Sequence, residues 1–257
     1  MFAQSLDRAA LVGKGFCSDV YAWGAGHVLK LYHGPIAHQR ADREFAATRA
    51  VHTTGLPVPV AYEVIEVEGR PGIIFERIEG VSLLEATQAR PWKLFAAIRL
   101  AAEFHAEIHR CKAPPGLPSL RERIEARIDL SDAAEPEKRA ARERLASLAD
   151  GEVLCHGDFH PDNILMTARG PVIIDWSSAS HGDPVGDVAC TSRLLRTASL
   201  PPRSPWYAHL MLRYLRSLIH RSYLKWYFHR GAGTRRQVDE WEAPIAMASR
   251  AWRATAD

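Results

Sequence analysis

Short runs of apolar or β-favouring residues recur over the first eighty positions, and glycines separate most of these runs. The runs cover residues 11–13, 18–23, 27–32, 61–68 and 72–77. Such runs predict β-strands, joined here as an antiparallel meander with a hairpin turn at residues 68–71. Residues 38–52 instead repeat their apolar positions at a period near 3.6, which predicts a helix. The first part of the chain should therefore be a small lobe of five strands and one helix.

After Gly80 the helical period dominates, so we expect a hinge at this glycine. The predicted helices are 92–109, 120–130, 135–148 and most of the chain from 185 onward, with a proline-rich break at 200–205. Two short apolar strands, 152–155 and 172–174, bracket the densest polar segment of the sequence. The pattern predicts an α+β protein with an N-terminal lobe at 1–80 and a mainly helical C-terminal lobe at 81–257.

Composition and charge exclude several classes of protein. Apolar residues make up 47% of the 257 positions and charged residues 25%, as in ordinary folded proteins. A formal net charge of +3 is too small to indicate a nucleic-acid partner. The four cysteines form no CxxC pair, so neither a disulfide framework nor a metal cluster is predicted. Asp7 and Arg8 interrupt any N-terminal signal sequence, and no long apolar run indicates a membrane span, so we expect a cytoplasmic protein.

The distribution of charge is less even than its sum. No Asp or Glu occurs between Val188 and Val238, whereas ten Lys and Arg residues fall there. Residues 206–229 place apolar side chains on one side of a predicted helix and basic ones on the other, so a solvated helix face is one interpretation. Contact with a substrate is the other.

Candidate chemistry is concentrated in residues 154–176, where apolar strands lead into and out of a polar loop. Asp158 and Asn163 stand five residues apart in this loop, and Asp175 follows the next apolar strand. Phosphoryl transfer requires a carboxylate to orient the attacking hydroxyl, oxygen ligands for Mg²⁺, and a cation for the nonreacting phosphates. An Asp-x-x-x-x-Asn pattern followed by a strand and an Asp meets the first two needs.

Two histidines of the same loop permit other interpretations. His156 and His160 are four residues apart, but Gly157 and Pro161 do not support the helix on which a zinc-binding histidine pair would stand. We therefore expect His156 to brace the loop through hydrogen bonds. For His160, a structural role and a position facing the transferred phosphate both stay open.

Residues 156–163, together with 173–176, resemble the signature of the aminoglycoside phosphotransferase family. This resemblance implies the bilobal protein-kinase-like fold, with a small antiparallel-sheet N-lobe and a larger, mainly helical C-lobe. Protein kinases usually have Arg before the Asp, so Gly157 favours the small-molecule branch. Residues 183–189 also resemble the family's segment after the metal-binding Asp, in which the second acid, here Asp187, is a structural support.

The resemblance extends to the predicted sheet lobe. Gly13, Gly15 and Ser18 correspond to the hairpin that covers the nucleotide, although Ser18 stands where the third glycine of the motif is expected. Lys30 lies inside an apolar strand, where a buried cation needs an anionic partner. In the family this lysine holds the α- and β-phosphates. Glu44 is the expected partner of Lys30, with Asp42 as an alternative.

The remaining site residues follow from the same resemblance. The carbonyl of Glu76 and the N–H of Ile78 would contact adenine, Asn163 and Asp175 would bind Mg²⁺, and Asp158 would be the catalytic base. The implied cofactors are Mg²⁺ and ATP, with GTP as an alternative. The implied partner is a small molecule with a hydroxyl group, with no nucleic acid and no membrane involved, and the chain would be a monomer or a homodimer.

The acceptor is not defined by these motifs. Aminoglycosides are polycations, which fit poorly beside an acid-free, basic stretch, so we expect a neutral or anionic acceptor. Kinases of choline, homoserine or sugars would share every motif quoted above. A protein kinase is disfavoured by Gly157 and by the lack of an Ala-Pro-Glu segment, and a nucleotide-binding pseudokinase by the presence of all the expected polar residues.

Overall fold

The computed structural model describes Leu6, residues 9–197 and residues 206–251, and it gives no side-chain detail for 206–213. Internal contacts divide the described chain into two units. The first contains the described residues up to Glu85 together with Asp162–Ser178, and the second contains Ala86–Pro161 and the described residues from Ala179 onward. The sequence-based boundary at residue 80 stays a prediction. The proline-rich break predicted at 200–205 lies outside the described residues.

A five-stranded antiparallel sheet forms most of the first unit. Its strands, given in chain order, are β1 (Leu11–Lys14), β2 (Ser18–Ala22), β3 (His27–Tyr32), β4 (Ala61–Val67) and β5 (Arg70–Glu76). Their order in the sheet is β1-β2-β3-β5-β4. A two-residue turn joins β4 to β5, and its residues Glu68 and Gly69 have φ of 52° and 72°, as the twist of a tight hairpin requires.

Side-chain alternation along β3 decides which residues face the helix of this unit. Leu29 and Leu31 are fully buried on one face, in a cluster with Trp23 and Ile74. The opposite face is covered by α1 (Ala37–His52), which contributes small side chains to the core there. Lys30 belongs to this second set because successive strand residues point to opposite faces. The sheet therefore directs the lysine toward α1.

A smaller three-stranded sheet completes the first unit, in the order β6-β8-β9. These strands are β6 (Val81–Ser82), β8 (Ile164–Thr167) and β9 (Gly170–Ile173). Gly80 is required just before β6, since a Cβ there would lie 2.6 Å from the carbonyl oxygen of Met166. The predicted strand 172–174 was wrong in extent, and β8 was not predicted, because it follows the polar loop without a break.

Helices dominate the second unit. They are α3 (Leu94–Ile108), α4 (Leu120–Asp129), α5 (Glu135–Ala146), α6 (Pro184–Thr197), α7 (Trp206–Arg230) and α8 (Arg235–Ala248), and α2 (Leu83–Ala89) lies at the boundary of the two units. One core joins their apolar faces, with Ile128, Tyr223 and Tyr227 among its most buried members. Strands β7 (Val153–Cys155) and β10 (Ser180–Gly182) pair beside it.

The described helices agree with the predicted helical periods at most positions. The helix predicted at 92–109 begins instead at Leu94, after a short 3₁₀ turn at Pro91–Lys93. Pro91 suits the first position of this turn because its φ is already helical and no N–H partner is needed there. None of the described helices combines the length and the apolar character that crossing a membrane would require.

Candidate active site

Lys30 lies between two carboxylates in the first unit. Its Nζ donates to both carboxylate oxygens of Glu44 at 2.8 Å and lies 3.3 Å from Oδ1 of Asp175. Tyr32 OH donates to Oε2 of the same glutamate at 2.5 Å. Glu44 is buried on the sheet-facing side of α1, one turn after Ala41, whereas Asp42 is exposed. Of the two acids considered as partners of Lys30, the structure brings Glu44 to it.

The two carboxylates determine the charge state of the lysine. Burial alone would lower the pKa of Lys30, but the negative charges of Glu44 and Asp175 outweigh burial and raise this pKa above its ordinary value. Burial, together with the charge of Glu44, also raises the pKa of Tyr32, so the phenol keeps its proton and can donate. The site therefore holds a permanent ammonium group beside the end of β9.

Asn163 and Asp175 are brought together by the backbone of the smaller sheet. The N–H of Ile174 donates to the carbonyl of Asn163 at 3.0 Å, so the residue after Ile174 lies next to this asparagine. Asp175 has φ of 61°, an uncommon value for a residue other than glycine. Such backbone conformations are often kept where a side chain must be aimed at a functional site.

The glycine-containing loop forms the turn between β1 and β2. Gly15 N donates to Ser18 O at 2.8 Å, and a Cβ on this glycine would lie 3.0 Å from the same carbonyl. Gly13 pairs with Val20 in the ladder, and Ser18 is buried. The turn is therefore tight, and its glycines leave the backbone uncovered.

The last residue of β5, Glu76, and Ile78 just after the strand are the two residues predicted to contact adenine. The N–H of Glu76 donates to Val60 O at 2.8 Å, and that of Arg77 to Gly26 O at 2.9 Å. These bonds tie the end of the strand into the larger sheet. The adenine contacts expected from the carbonyl of Glu76 and the N–H of Ile78 stay predictions.

Asp158 lies in the second unit, in the loop that follows β7. Asp187, at the start of α6, holds this loop through its backbone: its Oδ2 accepts from His156 N at 2.6 Å and its Oδ1 from Gly157 N at 2.9 Å. Gly157 has φ of 78°, which suits glycine. His156 Nδ1 accepts from the N–H of Asp158 at 3.3 Å, which agrees with a bracing role for this histidine.

His160 lies near the predicted base, with its Nε2 3.9 Å from Oδ2 of Asp158. This separation exceeds a hydrogen bond, and both side chains are partly exposed. The carbonyl of Phe159, between them in sequence, accepts from the Thr191 hydroxyl at 2.9 Å. Two helical anchors, Asp187 and Thr191, one turn apart on α6, therefore fix the backbone on both sides of Asp158.

Sequence reasoning missed the buried polar residues behind Asp187. His105 Nε2 and His109 Nε2 lie 3.1 Å and 3.2 Å from its Oδ2. Their other ring nitrogens contact Tyr223 OH and Tyr227 OH, each at 2.6 Å. A signal existed in the sequence, because each pair repeats at a spacing of four on an otherwise apolar helix face. Nothing in the sequence indicated that helix α3, which carries the histidines, packs against helix α7, which carries the tyrosines.

Comparison with known families gives a match that covers most of the chain. Residues 9–227 match the model of the Phosphotransferase enzyme family (APH). An Aminoglycoside 3'-phosphotransferase of Streptomyces fradiae is 26% identical over 182 residues, which are 63% of this chain and 67% of that protein. Acyl-CoA dehydrogenase family member 11 of Gallus gallus is 30% identical over 193 residues. That match covers 65% of this chain, which spans only 25% of the chicken protein.

Solved structures show the same fold at low sequence identity. Aminoglycoside-3'-phosphotransferase of type VIII superposes with a TM-score of 0.66 at 19% identity, over 94% of this chain and 93% of that one. Amicoumacin kinase hAmiN, in complex with AMP-PNP and Ca²⁺, gives 0.64 at 13% identity, over 98% and 82% of the two chains. The predicted kinase-like fold is confirmed by these neighbours. With residues 9–227 matched to its model, the chain belongs to the Phosphotransferase enzyme family, as its loop motif predicted.

Proposed function

We propose that this chain transfers the γ-phosphoryl group of ATP to a hydroxyl group of a small molecule, with Mg²⁺. GTP is the alternative donor. The observation that carries the proposal is the placement of Lys30 between Glu44 and Asp175. Asn163 lies beside the segment that carries Asp175. A nucleoside triphosphate with its metal ion needs a fixed cation for the phosphates and an accessible carboxylate for the metal. The buried ammonium of Lys30 and the partly exposed carboxylate of Asp175 supply these two groups.

The residues of the first unit fit the binding of a metal nucleotide. Asp175 and Asn163 offer a carboxylate and an amide oxygen, the hard ligands that Mg²⁺ prefers, and would hold the ion. The bound ion would neutralise charge on the phosphate oxygens. Lys30 neutralises the nonreacting phosphates, and Glu44 fixes its direction. The backbone at Gly13, Gly15 and Ser18 approaches the phosphates, and Glu76 and Ile78 contact the base through their backbone.

Asp158 has the role of catalytic base in this proposal. It accepts or orients the proton of the acceptor hydroxyl while the phosphoryl group is transferred. Rigid positioning is what this step asks of the protein. The hydrogen bonds from His156 N and Gly157 N to Asp187, together with the bond from Thr191 to Phe159, supply such rigidity on both sides of the base.

The charge pattern of the second unit supports a neutral or anionic acceptor. Residues 189–237 contain no Asp or Glu that could hold a polycation. Two cations of this stretch, Arg193 and Arg196, are paired with Glu242, so the rest of the stretch carries the argument. An aminoglycoside acceptor is the second candidate, and the relative from Streptomyces fradiae favours it.

A transfer screen separates the two acceptor classes. The full chain is incubated with Mg²⁺, ATP and single compounds from two panels, aminoglycosides and uncharged or acidic hydroxyl metabolites, and products heavier by one phosphate are identified by mass spectrometry. We expect products only in the second panel. Efficient phosphorylation of aminoglycosides would reject the neutral or anionic acceptor and leave the phosphotransferase proposal intact. Mutation of Asp158 tests the phosphotransferase itself.

A further inference from the structure

Two tyrosine–histidine pairs converge on Asp187 from the side opposite the catalytic loop. Tyr223 OH contacts His105 Nδ1, and Tyr227 OH contacts His109 Nδ1, both at 2.6 Å. Each histidine directs its Nε2 to the same oxygen of Asp187, Oδ2. That oxygen also accepts from a backbone N–H of the catalytic loop. Two chains of hydrogen bonds thus run from helix α7, through α3, to the loop that carries Asp158.

The same tyrosine–histidine contact occurs twice, one helical turn apart. His105 and His109 are four residues apart on α3, and Tyr223 and Tyr227 are four apart on α7, so the two helices run in the same direction along this contact. All four side chains are buried, as is Asp187. Because water does not reach them, each polar atom depends on its protein partner.

The direction of each hydrogen bond follows from the charge of Asp187. Burial alone would raise the pKa of this carboxyl, but its interactions with His105 and His109 lower it well below the ordinary range. An ionised carboxylate only accepts, so each histidine must carry its proton on Nε2. Burial, and then the nearby His109, lower the pKa of His105 to about 4. This histidine is therefore neutral at pH 7, and its Nδ1 must accept.

The tyrosines are then the donors that satisfy Nδ1 of each histidine and hold its ring in place. Burial raises the pKa of Tyr223 and of Tyr227 above the ordinary value, so both phenols keep their protons. Without the hydroxyl, His105 Nδ1 would be a buried acceptor without its donor. The ring would lose one of the two hydrogen bonds that fix its direction toward Asp187.

We propose that Tyr223 and Tyr227 are positioning residues for Asp158: through His105 and His109 they hold the Asp187 carboxylate in the orientation that anchors the catalytic loop. This inference rests on the proposed phosphotransferase function, which makes Asp158 the base. It extends the candidate site to α7, a helix that none of the sequence motifs reaches.

A metal ion is the competing explanation of this cluster. The ligand atoms of His105, His109 and Asp187 lie within 4.8 Å of one another. Every ring nitrogen of the two histidines already has a protein partner in hydrogen-bonding distance, and an ion would have to displace both Nε2 protons. The hydrogen-bonded arrangement satisfies all of these atoms without an ion.

Conservative removal of the hydroxyls tests the positioning role. Tyr223→Phe and Tyr227→Phe should each lower kcat about tenfold with little change in the KM for ATP, since one buried hydrogen bond to the anchor is lost. Tyr214→Phe, on the exposed part of the same helix, is the matched control and should keep wild-type kinetics. Equal kcat in the wild type and the three variants, or a change in the KM for ATP alone, would overturn the proposal.

A measurement that needs no turnover separates this proposal from the proposed function. In ¹⁵N NMR spectra of the labelled chain, the His105 and His109 rings should show the Nε2–H form, and Tyr223→Phe should shift the Nδ1 resonance of His105, which loses its hydrogen-bond donor. An Nδ1–H form in the wild type, or a stoichiometric transition metal in the purified protein that His109→Gln removes, would overturn the positioning proposal. Absence of any phosphoryl transfer by the wild type, with the Nε2–H form present, would instead reject the proposed function.

Discussion

The lysine of strand β3 shows how one residue can carry several requirements of the site. Lys30 is nearly enclosed, with 14% of its side chain exposed, yet it keeps its charge because Glu44 is fixed 2.8 Å away. A buried cation paired on one side leaves only its second side for a ligand. The same contact that stabilises the fold therefore directs the ammonium group toward Asp175.

Replacing this lysine should affect both stability and nucleotide binding. Lys30→Met leaves the Glu44 carboxylate buried without a cation, so the free energy of unfolding should fall by about 3 kcal/mol. Affinity for ATP should fall as well. Lys93→Met, at an exposed lysine, is the control. Urea unfolding and fluorescence titration with a labelled nucleotide measure the two effects, and unchanged ATP affinity in Lys30→Met would contradict the role assigned to the ammonium.

His105 should make stability depend on pH in a defined window. Its pKa is about 4 in the folded chain and about 6.5 when unfolded, so the unfolded state binds the extra proton first. Neutral His105 therefore contributes fully to the free energy of unfolding above pH 6.5. This contribution, up to about 3 kcal/mol, is lost as the pH falls toward 4. In His105→Gln this part of the pH dependence should disappear, whereas His220, whose pKa burial also lowers to about 4, keeps its share. Urea unfolding at half-unit pH steps would reveal it, and identical slopes in the two proteins would contradict it.

Helix α4 illustrates how local sequence fixes an element of the second unit. Ser119 accepts from Arg121 N at 3.1 Å, and Glu122 accepts from Ser119 N at 3.2 Å, which together form a capping box. The helix then buries Leu120 and Ile124 in the core. The capping box fixes the first residue of the helix, and thereby which residues form the face that packs on the core.

Loss of this cap should be measurable by itself. Ser119→Ala should lower the free energy of unfolding by about 1 kcal/mol, because it removes an acceptor from the first turn. Ser147→Ala, at the exposed end of α5, should change it by less than about 0.5 kcal/mol. Chemical unfolding of the three proteins provides the comparison. A cost at Ser147 as large as that at Ser119 would show that the cap of α4 has no special weight.

Different parts of the molecule were accessible to sequence reasoning for different physical reasons. Lys30 could be recognised because a charge inside an apolar strand needs a partner, but choosing Glu44 over Asp42 required knowing which face of α1 meets the sheet. The loop around Asp158 was readable because its residues are close in the chain. The contacts between His105 and Tyr223 join positions 118 apart, and no local pattern encodes such a pairing.

At the scale of the whole molecule, the two units divide the proposed work. The first contributes Lys30, Asn163 and Asp175, the groups suited to a metal nucleotide. The second contributes Asp158, the group suited to orient an acceptor hydroxyl. Loss of the base should therefore stop transfer without preventing nucleotide binding, whereas loss of Asp175 should weaken binding itself.

Magnesium-dependent release of phosphate from ATP tests this division most directly. Water replaces the acceptor in this assay, so no knowledge of the natural substrate is needed. Asp158→Asn should reduce the rate at least about 100-fold while ATP affinity stays at the wild-type value. Asp162→Asn, which removes a charge from an exposed position of the same loop, should keep most of the rate. Equal hydrolysis by wild type and Asp158→Asn, or a wild type that binds ATP and never cleaves it, would contradict the assignment of Asp158 as the base of a phosphotransferase.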